Sequence, residues 1–329
     1  MLNARCMSIV EKQNEWREQN KMLYPNPIHE GATIAVISPA STPLEERVKR
    51  GVNYLQARGF KVVMGKHVLN KNKYLSGQGA EQLTDLHAAF ANPEVDASIC
   101  SRGGYGTPRY LNALDFELIK ENPKPLVGYS DITALQCALL TQADLVSFSG
   151  PMVAVEMGSE EGIDSYTEKM FWDLVSKPLS GQRLQNPAET DWAVLSEGTC
   201  EGQLIGGCLA LFNNLMGTRF FPEVKGNILV LEDIGENVQH IDRMLTQFKQ
   251  AGFFDTGGLA GLMLGQFIDA WDKAEEDDFT LEELVRDIIG NDSLPIVSNV
   301  AYGHGPRKMS LPLGAHVRLD TDSQTLAIL

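Results

Sequence analysis

Thr33-Ile-Ala-Val-Ile-Ser-Pro-Ala-Ser41 is the stretch of sequence that best indicates the fold. It begins with a short, continuous apolar run, which is typical of a strand buried on both faces of a parallel sheet. Signals for the start of a helix follow at once, with Thr42 as the expected N-cap and Pro43 at the first helical position. The next apolar residues recur at helical spacing, at Leu44, Val48, Val52 and Leu55. The segment therefore predicts one strand followed by one amphipathic helix.

The same alternation continues through the first half of the chain. Further strand patterns occupy residues 60–64, 95–100, 125–128 and 145–148, and helical patterns occupy 79–91, 131–142 and, more weakly, 108–114. Strands that alternate with helices at this spacing form an open parallel sheet. We therefore predict an α/β fold whose N-terminal domain is an open parallel sheet of the flavodoxin or Rossmann type.

The second half of the chain has six strand patterns and fewer helices. The strand patterns cover 202–205, 228–231, 261–264, 296–299, 316–319 and 325–328, and the helical patterns cover 209–216, 238–251 and 281–289. This predicts a smaller, β-rich mixed α/β domain with more antiparallel pairing. The predicted organisation is an N-terminal extension at 1–28, an α/β domain at 29–160, a connecting segment at 161–200 and a C-terminal domain at 201–329.

The composition excludes several classes of protein. The 329 residues include 28 Lys and Arg against 43 Asp and Glu, a formal net charge of −15, so nucleic acid and acidic membranes are unfavourable partners. Five cysteines without a C-x-x-C pair argue against a disulfide framework and a zinc cluster. The sequence shows neither a secretory signal nor an apolar stretch of the ~18–20 residues that span a membrane. We therefore expect a cytoplasmic globular protein.

The stretch Leu126-Val-Gly-Tyr-Ser130-Asp places a serine at the bend between a predicted strand and a predicted helix. Such a bend can expose a nucleophilic hydroxyl while the first N–H groups of the helix face a bound group. Alternatively, Ser130 simply caps its helix. The spacing alone favours capping, because Ile132 stands where the G-x-S-x-G pattern has glycine.

Three further segments follow predicted strands and carry groups suited to catalysis. Ser101-Arg-Gly-Gly-Tyr-Gly-Thr107 is either a source of backbone N–H groups for an oxyanion or only a tight turn. Glu232 and Asp233 end an apolar strand, where they are either catalytic or solvated acids. His304 alone among six histidines combines a strand-end position with flanking glycines. A serine, an acid and a histidine in the order Ser130, Glu232, His304 follow the chain order of α/β-hydrolase triads.

Seven blocks in collinear order resemble the LD-carboxypeptidases, the muramoyltetrapeptide carboxypeptidase family of serine peptidases, to which the microcin C immunity peptidases are related. The resemblance covers residues 31–329, and its blocks are Arg102-Gly-Gly-Tyr-Gly106, Gly128-Tyr-Ser-Asp-Ile-Thr133, Phe148-Ser-Gly-Pro-Met152, Gly206-Gly207 with 209–218, Leu231-Glu-Asp233, Gly303-His304 and Leu311-Pro-Leu-Gly-Ala315. Seven ordered blocks are more specific than any single motif, and they reverse the preference for a capping role of the serine.

The resemblance also implies which residues carry the chemistry. It makes Ser130 the nucleophile and makes Glu232 and His304 the other members of a catalytic triad. It assigns the oxyanion hole to the backbone N–H groups of Gly104 and Asp131, and it calls for no metal and no cofactor. Arg102, beside the glycine-rich turn, is our candidate either for binding a terminal carboxylate of the substrate or for supporting the turn.

The implied activity is that of a serine LD-carboxypeptidase, which removes the terminal D-alanine from muropeptide tetrapeptides containing meso-diaminopimelate during peptidoglycan recycling. The block at 102–106 favours a cell-wall peptide, because the microcin C immunity peptidases lack it. Two alternatives stay open, namely an immunity-type peptidase that hydrolyses an aminoacyl-nucleotide or related amide, and a muropeptide-binding protein without catalysis. The expected partner is a small peptide substrate, and the resemblance also makes a homodimer an expectation.

Overall fold

The structure is a computed structural model that describes residues 22–272, 278–290 and 293–329. Most of the predicted N-terminal extension, residues 1–21, lies outside the described residues. The strands of the described part are β1 (Thr33–Ile37), β2 (Lys61–Met64), β3 (Ala97–Cys100), β4 (Leu126–Val127), β5 (Ser147–Ser149), β6 (Arg183–Leu184), β7 (Ala193–Ser196), β8 (Thr199–Cys208), β9 (Ile228–Ile234), β10 (Gly261–Ile268), β11 (Ile296–Ser298), β12 (Leu311–Leu313), β13 (His316–Asp320) and β14 (Thr325–Ile328).

Helices connect most of the parallel strands. They are α1 (Glu45–Ala57), α2 (Gly79–Ala91), α3 (Phe116–Glu121), α4 (Ile132–Ala143), α5 (Ser165–Val175), α6 (Leu209–Asn214), α7 (Val238–Gln250) and α8 (Leu281–Ile289). In the part of the chain that the structure describes, none of them combines the length and apolar character needed to cross a membrane.

The first sheet is built from the strand-helix repeats of the N-terminal half. Its order is β12-β5-β4-β3-β1-β2, and β1 to β5 pair in parallel. Within β1, Ala35 and Ile37 belong to one hydrophobic cluster, while Ile34 and Val36 belong to a second cluster on the other face. Both faces of this strand are therefore buried, and the prediction of an open parallel α/β sheet is confirmed.

The second sheet is mixed, as predicted. Its order is β6-β14-β13-β8-β9-β10-β11-β7. The four central strands, β8 to β11, are parallel, whereas β13, β14 and β6 on one side and β7 on the other are antiparallel to their neighbours. Strands β6 and β7 lie within the segment at 161–200 that the sequence predicts to be a connection.

Three short strands have no clear signal in the sequence. β6 has only two residues, and β12 contains Pro312, which lacks the N–H group that a central strand needs. β12 occupies an edge, where it pairs with β5 and brings a C-terminal segment into the first sheet. The β7 residues alternate less clearly, and all four are only partly buried.

Two local predictions were wrong. Helix α1 begins at Glu45 and has Leu44 as its N-cap, so Thr42 does not cap it and Pro43 is not its first residue. The hydroxyl of Thr42 instead donates to the carbonyl oxygens of Asn70 and Leu75, at 3.0 and 2.8 Å, because the chain remains extended there. The weak helical pattern at 108–114 forms two short 3-10 turns, at 107–109 and 111–113, rather than an α-helix.

Helix α4 lies between the two sheets and contacts both β5 and β8. Ten of its twelve residues are buried, which is what an apolar pattern around the whole helix requires. Its first turn is tied to the second sheet, because Thr133 Oγ1 accepts a hydrogen bond from the N–H of Cys208 at 3.0 Å. The N-terminus of α4 is thereby fixed against the end of β8.

The end of β8 must lie close to β9, and Gly206 permits this approach. A Cβ atom at Gly206 would lie 2.0 Å from the carbonyl oxygen of Val230, and φ there is +120°. We expect Gly206→Ala to lower the free energy of unfolding by about 3 kcal/mol or more, since steric overlap adds to backbone strain. Gly226, with φ of +73° and no atom within 4 Å of an added Cβ, is the matched control.

For Gly226→Ala we expect a loss of only about 1 kcal/mol, because backbone strain acts there alone. Urea unfolding of both variants measures the difference. Equal losses would contradict the close approach of β8 to β9.

Candidate active site

Ser130 lies at the bend between β4 and α4 in a left-handed backbone conformation, with φ of +65°. A residue other than glycine in this region costs about 1–3 kcal/mol, so the surrounding structure must impose it. Ser130 does not cap the helix, because the N-cap of α4 is Asp131 and has no side-chain capping bond. The bend thus has the geometry of a strand-to-helix turn that presents a hydroxyl group.

The glycine-rich turn at 101–107 contacts this serine directly. A Cβ atom at Gly103 would lie 2.8 Å from the Cβ of Ser130 and 3.1 Å from its Oγ. Only glycine permits this approach. Gly104 and Gly106 have φ of +109° and +151°, in the region that favours glycine. The structure therefore brings together the two segments that the sequence singled out.

Side chains outside the glycines hold the turn in place. The N–H of Thr107 donates to Asp131 Oδ2 at 2.9 Å, and its hydroxyl donates to the carbonyl oxygen of Asp131 at 2.7 Å. Ser41 Oγ accepts from the N–H of Tyr105 at 3.1 Å. Burial raises the pKa of Asp131, while the hydrogen bonds from Thr107 oppose that rise. Ser41, Thr107 and Asp131 all lie within the stretches quoted from the sequence, but no local pattern predicts these supporting side-chain contacts.

Glu232 and His304 form a hydrogen-bonded pair at the other side of the site. His304 Nδ1 lies 2.7 Å from Glu232 Oε2, and the side chains are 12% and 1% exposed. Glu232 belongs to β9, and His304 lies in the loop after β11. Gly303 allows the loop to approach, because a Cβ atom there would lie 2.7 Å from Glu232 Oε2.

Tyr129 connects the pair to the serine. It immediately precedes Ser130, and its ring contacts the imidazole of His304 edge to face, with 5.0 Å between the ring centroids. Among the residues that the structure describes, the hydroxyl of Ser130 has no hydrogen-bond partner, so it is not hydrogen-bonded to His304. Tyr129 is thus next to Ser130 in the chain and in contact with His304, which in turn is bonded to Glu232.

Arg102 is half-buried beside the same turn. Its Nη2 lies 3.7 Å from the position of a Cβ atom at Gly104. It makes no ion pair with any described carboxylate, although its charge is close enough to Tyr129 to oppose the rise in that phenol's pKa. The site therefore contains a cation without an anionic partner in the described part of the chain.

The structure offers no alternative centre built on metal ligands. Within residues 22–272, 278–290 and 293–329, no group of three or more His, Cys, Asp or Glu side chains is arranged to hold a metal ion. His67 and His240 pair with single carboxylates, those of Asp85 and Glu236.

Comparisons with known proteins agree on one family. Residues 34–150 match the LD-carboxypeptidase N-terminal domain, and residues 201–319 match the LD-carboxypeptidase C-terminal domain. A probable murein peptide carboxypeptidase of Bacillus subtilis is 33% identical over 304 residues, which are 92% of this chain and 93% of that protein. A murein tetrapeptide carboxypeptidase of Pseudomonas aeruginosa is 32% identical over 288 residues, or 85% of this chain and 91% of that protein.

Solved structures share the whole fold. The wild-type microcin C7 self-immunity protein superposes with a TM-score of 0.84 at 25% identity, covering 93% of this chain and 98% of that one. The two matching domains and the carboxypeptidases among the relatives identify this protein as a peptidase. The chain belongs to the LD-carboxypeptidase family.

Asp233, the neighbour of Glu232, is a buried carboxyl group that supports the site and can titrate. It is 3% exposed, and its oxygens accept hydrogen bonds from the N–H groups of Ala210 and Ile234, both at 2.8 Å. Burial raises its pKa to about 6. Between pH 4 and 6 the unfolded chain therefore loses this proton before the folded chain does, and the stability that Asp233 contributes falls as the pH rises.

We expect the free energy of unfolding of the wild type, relative to that of Asp233→Asn, to fall by on the order of 2 kcal/mol from pH 4 to pH 7. Urea unfolding of both proteins across this range measures the difference, in which other titrating groups cancel. A difference that is constant or rises with pH would show that the carboxyl is not held protonated.

Proposed function

We propose that the protein is a serine LD-carboxypeptidase that releases the terminal D-alanine from muropeptide tetrapeptides containing meso-diaminopimelate, as part of peptidoglycan recycling in the cytoplasm. The observation that carries the proposal is the position of Ser130, at a strained bend against the glycine-rich turn and next to Tyr129, whose ring contacts the imidazole of the Glu232–His304 pair. The names of two relatives, murein peptide and murein tetrapeptide carboxypeptidase, support the substrate class. The four described cysteines are free thiols, which supports a reducing compartment.

The first half of the reaction acylates Ser130. His304 takes the hydroxyl proton at Nε2 as Ser130 Oγ attacks the carbonyl carbon of the scissile amide. Glu232 accepts the hydrogen bond from Nδ1–H, which fixes the tautomer and stabilises the imidazolium that forms. The buried position of Glu232 strengthens this interaction, because water does not screen it.

The N–H groups of Gly104 and Asp131 bind the oxyanion of the tetrahedral intermediate. Loss of one such donor raises the barrier by about 2.7–4 kcal/mol in other hydrolases. When the intermediate collapses, the C–N bond breaks and His304 gives its proton to the amine of D-alanine. Water then attacks the acyl-enzyme with His304 as the base, which releases the shortened peptide and restores the hydroxyl of Ser130.

The mass of the products tests the nucleophile and the substrate together. Wild-type protein and Ser130→Ala are each incubated with a diaminopimelate tetrapeptide that ends in D-alanine. We expect the wild type to remove one alanine residue, and Ser130→Ala to stay folded and lose nearly all turnover, because the attacking oxygen is absent. Ser180→Ala, at an exposed serine, is the control and should match the wild type.

The other outcomes separate the remaining functions. Normal turnover by Ser130→Ala would exclude the serine mechanism. A wild type that leaves the tetrapeptide intact but cleaves an aminoacyl-nucleotide amide would instead be an immunity-type peptidase. The 27% identity to the Escherichia coli microcin C7 self-immunity protein supports this second candidate. A wild type that binds the tetrapeptide and cleaves neither substrate would be a muropeptide-binding protein.

Arg102 is our candidate for binding the terminal carboxylate of the substrate. A charge-assisted hydrogen bond is worth about 1.5–3 kcal/mol, so Arg102→Met should raise KM for the tetrapeptide about 10-fold to 100-fold. The variant and the wild type should have similar KM values for a tetrapeptide whose D-alanine carboxylate is amidated, because this substrate lacks the negative charge that Arg102 would bind.

Arg109→Met, at an exposed arginine near the same turn, is the matched control. If Arg102→Met has unchanged KM and unchanged stability, the residue neither binds the carboxylate nor supports the turn.

A further inference from the structure

A buried cluster of Lys308, Glu156 and Tyr129 lies beside the site without belonging to the triad. Lys308 is 4% exposed, and its Nζ donates to Glu156 Oε1 and, at 3.0 Å, to the hydroxyl oxygen of Tyr129. The hydroxyl of Tyr129 in turn donates to Glu156 Oε1 at 2.7 Å. Because a buried ammonium group is costly without such partners, these three groups depend on one another.

The cluster is anchored in the N-terminal half. Glu156 Oε2 accepts a hydrogen bond from the N–H of Met152 at 2.9 Å. Burial and the charge of Glu156 raise the pKa of Tyr129, so its phenol stays neutral and can donate and accept at once. Lys308 Nζ also lies 4.3 Å from the centre of the Tyr129 ring, within the range of a cation–π contact.

The chain positions of the three residues connect the two parts of the site. Lys308 follows His304 by four residues in the loop at 301–309, which is closed by a hydrogen bond from the N–H of Met309 to the carbonyl oxygen of Ala301. Tyr129 immediately precedes Ser130, and its ring contacts the imidazole. The cluster therefore joins the histidine loop of the second sheet to the strand end that carries the serine.

A buried ion pair adds little net stability over an apolar pair of similar volume, but it has a defined geometry. Such geometry matters here, because a displacement of about 1 Å between reacting groups can cost about 100-fold in rate. We propose that Lys308 is a positioning residue: its interactions with Glu156 and Tyr129 hold the loop of His304 in the place from which the imidazole serves Ser130. This inference rests on the proposed function, since it requires Ser130 and His304 to act together.

The loop has further attachments, which make the inference testable in a folded protein. Gln266 of β10 accepts a hydrogen bond from the N–H of Gly305 through Oε1 at 2.9 Å. The backbone N–H of Gln266 also donates to the carbonyl oxygen of Tyr302 at 2.8 Å. The hydroxyl of Tyr302 is also hydrogen-bonded to the hydroxyl of Ser149 in β5 at 2.9 Å, and the backbone N–H of Lys308 donates to Thr167 Oγ1 at 2.9 Å. Loss of the ion pair therefore leaves the loop attached at these points and removes its direct link to Tyr129.

The test removes both charges at once, so that neither remains buried alone. We expect the double variant E156Q/K308M to unfold at a urea concentration near that of the wild type. Its kcat for the tetrapeptide should fall about 10-fold to 100-fold, while KM stays within about threefold, because the alignment of the reacting groups is lost rather than substrate binding. The matched control is E201Q/R318M, which removes the exposed ion pair between β8 and β13.

A second readout does not depend on the peptide. A fluorophosphonate probe labels an activated serine, and we expect its rate of labelling of Ser130 to fall in E156Q/K308M in parallel with kcat. A merely structural role of the cluster would leave the labelling rate of the folded variant unchanged. Ser130→Ala, which should not be labelled, identifies the reacting residue.

A folded E156Q/K308M variant with the kcat and labelling rate of the wild type would overturn the inference. If that variant does not fold, Tyr129→Phe decides, because it removes one partner of the ammonium group and retains the ring against His304. We expect kcat to fall about threefold to tenfold in that variant, and an unchanged kcat would overturn the inference. A wild type that neither cleaves the peptide nor reacts with the probe would instead show that the proposed function is wrong.

Discussion

The left-handed backbone of Ser130 is the constraint on which the rest of the site depends. A serine does not adopt this conformation without support, so packing on both sides must enforce it. On one side, α4 is buried almost completely and cannot shift along its axis without opening the core. On the other side, Gly103 lies against the serine side chain and leaves no room for a different bend. The proposed nucleophile is thus held by well-packed parts of the molecule.

The two sheets divide the chemistry between them. The first supplies Ser130 and the glycine-rich turn, and the second supplies Glu232 and His304, all beyond or near the ends of parallel strands, where α/β sheets commonly bind ligands. Glu232 Oε1 has no hydrogen-bond partner among the described residues, so its bond with His304 is the main polar contact recorded for that carboxylate. The hydrogen bond between Glu232 and His304 therefore strengthens when the imidazole becomes charged.

Local patterns in the sequence predicted the sheets well. β1 and α1 are continuous in the chain and carry their own apolar periodicity, so their existence follows from short segments. β12 could not be found in this way, because a three-residue strand with a proline is a strand only through its partner β5. Thr42 was misassigned for a related reason: the helix begins only at Glu45, and the Thr42 hydroxyl instead donates to the carbonyl oxygens of residues 28 and 33 positions away.

The candidate site likewise contains residues that the sequence predicts and residues that only tertiary contacts reveal. Motif order and the resemblance to a family pointed to Ser130, Glu232 and His304, of which the structure joins Glu232 and His304 by a hydrogen bond and places His304 against the neighbour of Ser130. The supporting side chains were not predictable, because Asp131 acts on a turn 24 residues earlier and Lys308 meets Glu156 across 152 residues. No local periodicity reports such pairs. They follow from tertiary distances alone.

The edge position of β12 has a consequence for biosynthesis. Strand β5 is made early, yet the strand that covers its outer side comes from the segment directly after the histidine loop. Domains begin to fold while the ribosome is still adding residues, so the first sheet must wait with an open edge until most of the second has been synthesised. The same late part of the chain then completes both the sheet and the proposed catalytic centre, so on this proposal a nascent chain gains activity at about the same stage as it closes the hydrogen-bonding edge of the sheet.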